Sequence, residues 1–144
     1  VSPLLGGVEA QVKHFLYLMT LLAAMTPFGA MADPNIFQCH VVSDAYIKQD
    51  GSLDVVKNSP RVGQRFTVIK KTGEVIGDVM DSLKKPRIIG SGNDKNAYKL
   101  IWEQKSSSKN GVYIDYLNID GSATEGKKPF GFFSGSMLLS GWCE

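Results

Sequence analysis

The sequence predicts an all-β domain, a small antiparallel β-barrel or β-sandwich of about eight strands. Three observations predict it. Short apolar or alternating runs recur along residues 33–144, turn residues separate them, and no stretch keeps a helical period for the length a helix needs.

Taken in order, the first run is Ile36 to Val42, followed by Asp44 to Ile47. Gln49-Asp50-Gly51-Ser52 is a turn signal, and Leu53 to Val56 returns from it. Lys57 to Gly63, with Asn58, Ser59 and Pro60, reads as a loop. Arg65 to Ile69 and Glu74 to Val79 are joined through Lys71-Thr72-Gly73. Their β-branched content and central glycine predict a tight hairpin with positive φ at Gly73.

Val79 to Lys85 allows a short helical turn that Pro86 ends, and Arg87 to Ile89 resumes an extended pattern. After the loop Gly90 to Asp94 comes Ala97 to Glu103, then polar Ser106 to Gly111. Val112 to Ile119 alternates cleanly, with Tyr113, Asp115, Leu117 and Ile119 sharing one face. Asp120 to Pro129 is a loop, and Phe130 to Cys143 reads as a closing hairpin around Ser134-Gly135-Ser136. Phe37, Phe66, Trp102, Phe130, Phe132, Phe133 and Trp142 are expected mainly as core and barrel-end plugs.

The N-terminal part carries a different message. Lys13-His14, the mostly apolar run Phe15 to Met25 and Ala30-Met31-Ala32 are the basic flank, hydrophobic region and small-x-small site of a secretory signal peptide. Pro27 and Gly29 interrupt the run before it reaches the ~20 apolar residues of a membrane span. The expected organisation is a signal peptide over 1–32, cleaved after Ala32, and one exported β domain over 33–144. Val1 to Gln11 lacks positive charge and carries Glu9, so 1–11 reads as an over-extended gene start, with Val8 or Val12 as the initiator. The expected location is the periplasm or exterior of a Gram-negative bacterium. No membrane span is expected.

Cys39 and Cys143 are the chain's two cysteines, near opposite ends of the exported part. Export favours their oxidation, and two cysteines allow a single intramolecular connectivity. Their pairing would make the first and last strands neighbours, the closure condition of a meander barrel.

The formal net charge is +2, too small for the many phosphate neutralisations of general nucleic-acid binding. The basic residues nevertheless cluster, at Lys70-Lys71, Lys84-Lys85-Arg87 and Lys127-Lys128. Such doublets serve as edge charges against aggregation or as a surface for an acidic glycan or lipid.

Catalytic chemistry finds little support. His40 is the one histidine beyond the signal region, beside Cys39 on a strand, and adjacent strand residues point to opposite faces. One histidine and two paired cysteines do not make a zinc set. Asp50-Gly51-Ser52 and Asp120-Gly121-Ser122 lack the alternating oxygens of a calcium loop and read as turns. Asp78, Asp81, Glu103, Asp115 and Asp120 are the acids from which a hydrolase site would be drawn. No catalytic residue, metal or cofactor is assigned.

Ser91-Gly92 ahead of Tyr98, on an exported β domain opening with Phe37-x-Cys39, resembles the periplasmic inhibitors of C-type lysozyme. The resemblance covers one loop and the general architecture, with a longer interval before the tyrosine. It implies a Ser91–Tyr98 loop that enters an enzyme cleft. The expected function is a non-enzymatic binding or interaction protein for a protein or glycan ligand, with Ser91, Tyr98, Lys127 and Lys128 as candidate binding residues. Lysozyme inhibition and a hydrolase with an unrecognised carboxylate site are the alternatives.

Overall fold

The computed structural model describes residues 33–80, 83–105, 111–122 and 126–144. The readings on residues 1–32, including the signal peptide and the start at Val8 or Val12, lie outside the described residues, as does Asp81.

Among the described residues nine strands form one sheet: β1 (Ile36–Ile47), β2 (Leu53–Val55), β3 (Arg65–Ile69), β4 (Val75–Ile76), β5 (Arg87–Ser91), β6 (Tyr98–Lys105), β7 (Val112–Ile119), β8 (Lys128–Ser134) and β9 (Met137–Cys143). The order is β4-β3-β1-β9-β8-β7-β6-β5, with β2 a hairpin arm on β1, and these strands all pair antiparallel. The sheet is therefore an up-and-down meander curled into a half-barrel, and the barrel form prevails over two separate layers. Its two ladder edges, β4 and β5, follow each other in sequence.

Side chains span the gap that the ladder leaves. The Tyr98 hydroxyl on β6 donates to the Lys70 carbonyl just after β3 at 2.9 Å. Gly73, at φ +74, turns β3 into β4 so close to β5 and β6 that a Cβ there would stand 2.7 Å from Leu100 Cδ2. That glycine is needed for both its φ and its lack of bulk.

The first and last strands meet as expected. Cys39 and Cys143 face each other in register on β1 and β9, and a disulfide joins them across a Cα–Cα distance of 3.9 Å. Backbone bonds between Gln38 and Glu144, both at 2.9 Å, flank the bridge.

Alternation decides what lies inside. Phe66 and Val68 of β3, Tyr98, Leu100 and Trp102 of β6, Leu117 and Ile119 of β7, Phe130 and Phe132 of β8 and Leu139 of β9 are all buried. Each fully buried large apolar side chain stabilises by roughly 1.5–3 kcal/mol, so this inner layer holds the curl together.

Three expectations need correction. The two runs before Lys48 are one strand, β1, bent by an irregularity in its register with β9 between Val41 and Ser43. Among the described residues the helical turn is a 3₁₀ turn at Asp78–Met80, which begins one residue earlier than expected and carries Met80 into the core. Phe133 and Trp142 are not core plugs: each is one position out of phase with a buried neighbour, so Phe133 is exposed and Trp142 half-buried on the outer wall.

The loop before β3 has its own anchor. Asp44 is fully buried and accepts from the Ser59 hydroxyl at 2.5 Å and from Arg61 Nη1 at 3.0 Å, while Arg61 also reaches the Tyr46 hydroxyl at 3.1 Å. The bonds to Asp44 and Tyr46 raise the Arg61 pKa, so the guanidinium stays charged and the loop stays pinned to β1.

Candidate binding site

Three of the four candidate binding residues come together at one end of the half-barrel. Ser91, Tyr98 and Lys128 line a hollow of about 150 Å³ with Phe37, Lys70, Asn93 and Asp94. Ser91 ends β5 and lies in register with Tyr98, which begins β6, and Lys128 begins β8.

Strand phase explains the gathering. Lys128 is in phase with inward Phe130 and Phe132, and Lys70 continues the phase of inward Phe66 and Val68. Two ammonium groups are thereby carried toward the same barrel mouth. Lys70 Nζ donates to the Pro34 carbonyl at 2.6 Å and stands 4.3 Å from the Phe37 ring centroid. Lys128 Nζ donates to the Gly121 carbonyl at 3.1 Å. Each has donors left over, since an ammonium carries three.

The electrostatics follow from that proximity. Partial burial, and after it the Lys128 charge, push the Lys70 pKa below the ordinary lysine value, with Asp33 opposing them. The sign is unfavourable to the folded state while Lys70 is charged. That cost fades as pH rises through the lowered pKa. An anion placed between the two ammonium groups would remove the repulsion.

Tyr98 serves the site from behind. It is 1% exposed, with its ring edge-on to Phe37 at 5.3 Å and its hydroxyl committed to Lys70, and burial raises its pKa. Ser91 is exposed beside it. The pair thus forms a wall of the hollow, with no projecting tyrosine of the kind an inserting loop presents.

Lys127 belongs to a different surface. One residue out of phase with Lys128, it stands over the Trp142 ring at 4.3 Å, and Trp142 stacks with His40 at 4.2 Å. His40 lies across from Arg65 in register. Together they make an aromatic and basic strip on the outer wall. His40 is thus a ring partner of Trp142 on β1.

The remaining acids are dispersed. Glu103 pairs with Arg87 at 2.5 Å on the exposed face, and Asp120 binds the Ser122 N–H and hydroxyl, which lower its pKa. Asp50 makes the same turn with Ser52 and is lowered likewise. Both Asp-Gly-Ser segments are turns whose serines occupy the carboxylates. Asp115 is buried near the middle of β7, away from the mouth that Ile119 lines. Among the described residues no group of three or more His, Cys, Asp or Glu could hold a metal ion.

Lys70 is the member that doublet reasoning missed. Lys70 and Lys71 look equivalent as a pair, and only the two-residue period running back to Phe66 separates them. Comparison with protein-family models, with curated proteins and with solved structures finds no match for the chain. No helix among the described residues is long and apolar enough to cross a membrane.

Proposed function

We propose that this chain is an exported, non-enzymatic binding protein of the periplasm or exterior of a Gram-negative bacterium, and that its basic barrel mouth takes an acidic glycan. The observation that carries the reading is the convergence of Lys70 and Lys128 on one hollow, where partial burial and the neighbouring Lys128 charge hold the Lys70 pKa below the ordinary lysine value. Asp94 on the same hollow supplies an acceptor for sugar hydroxyls, the Asn93 Oδ1 being taken up by the Lys95 and Asn96 N–H groups of its own turn, and the outer strip of His40, Trp142 and Lys127 adds an aromatic surface nearby. A disulfide across the seam suits an oxidising compartment. The small net charge argues against nucleic acid as the partner.

Calorimetric titration with tetragalacturonate and with its neutral counterpart tetragalactose tests this. The acidic sugar is expected to bind saturably, and Lys128→Ala to weaken it about tenfold, the loss of one charge-assisted hydrogen bond. Binding should also weaken as pH rises through the alkaline range, beginning below the ordinary lysine value because the Lys70 pKa is lowered. Equal affinity for the acidic and neutral sugars would contradict the reading.

A further inference from the structure

A second hollow lies at the opposite end of β6, β7 and β8. Its volume is about 450 Å³, within the range of small-molecule sites. Met80, Leu83, Phe132 and Met137 supply apolar wall. The two methionines, unbranched and polarisable, adapt to ligands of varied shape.

Among the described lining residues one side chain is formally charged, Asp115. It is 7% exposed, and its Oδ2 lies 3.4 Å from Gln104 Nε2, a long contact. A buried carboxyl group whose one side-chain contact among those named is long favours a ligand that brings a positive hydrogen-bond donor to it. At the lip, Tyr113, in phase with Asp115 on β7, is 65% exposed. An apolar ligand body entering past it would cover part of that ring.

We propose that this hollow binds a small amphiphile with an apolar body and a cationic head, the head meeting Asp115 and the body lying along Phe132 and the methionines. This goes beyond the reading of the basic mouth. The two sites share no lining residue, so either can fail without the other.

The unaltered protein supplies its own reporter, because Trp102 packs edge-on against Phe132 at 6.1 Å between ring centroids. Octylamine, octanol and octanoate carry the same tail on positive, neutral and negative heads. Titrated separately while tryptophan fluorescence is followed, octylamine is expected to saturate the signal and to bind about tenfold or more tighter than octanol, with octanoate weakest. Equal affinities for the three, or no saturation by any of them at millimolar concentration, would overturn the proposal. Asp115→Asn should abolish the preference for the amine while octanol still binds, and a preference that survives the substitution counts equally against it. The ligand series needs no variant, so it decides even where the substitution disturbs folding.

Discussion

Replacing Cys39 and Cys143 together by alanine is expected to lower the unfolding free energy by about 4 to 5 kcal/mol, and the melting temperature by about 15 °C or more. The bridge spans 104 residues, and in the chain-entropy model a loop of that size constrains the unfolded state more than a short one. Its placement sharpens the effect. β1 and β9 form the ladder between the two ends of the meander, and the bridge lies near the end of that ladder beside the basic mouth. Each single variant should cost nearly as much as the double, because either one removes the whole bond. Thermal unfolding of the oxidised proteins checks this, and an unchanged midpoint in the double variant would show that the bridge contributes nothing.

Gly141→Ala should destabilise the same seam from within, by about 3 kcal/mol or more, as an overpacked interior position does. Gly141 lies on β9 opposite Val41, where β1 leaves regular register. A Cβ there would fall 1.9 Å from the His40 carbonyl oxygen and 2.7 Å from Phe130 Cε1. Backbone cannot yield as a flexible side chain does, so the β1–β9 ladder must shift. A drop in melting temperature of about 10 °C is expected, whereas Gly135→Ala, whose added carbon meets nothing within 4 Å, tests strain from its φ of +58 alone and should cost less.

Much of this fold was legible because hairpins announce themselves locally. Gly73 has the positive φ that its turn sequence predicts, Gly51 lies in the turn expected there, and β7 buries Asp115, Leu117 and Ile119, one of the two faces its alternation separates. The adjacency of first and last strands was legible from two cysteines. Barrel against sandwich was not, because that choice rests on how far one sheet curls, and curl comes from long-range packing such as Tyr98 against Lys70. The trio of buried Asp44 and Ser59 with half-buried Arg61 escaped notice for a similar reason: its members belong to a strand and a loop, and polar residues in a loop read as solvated.

The site was half legible. Ser91, Tyr98 and Lys128 do share a hollow, yet Lys127 does not, since neighbouring strand residues point apart. A doublet read by composition treats its two lysines alike. Read by phase, Lys70-Lys71 and Lys127-Lys128 each turn one lysine toward the mouth and leave the other outside it, and the inward pair, Lys70 and Lys128, builds the mouth.

The inward lysines are proposed to bind an anionic sugar at that mouth. The most direct test of that binding follows backbone amide and lysine Nζ resonances of the isotope-labelled protein by NMR while tetragalacturonate is added. The expected result is saturable shifts at Lys70, Lys128 and the amides of Ser91, Gly92 and Asn93, with little change at Tyr113 and Ile114 on the far end. Shifts centred away from the mouth, or none at millimolar sugar, would contradict it.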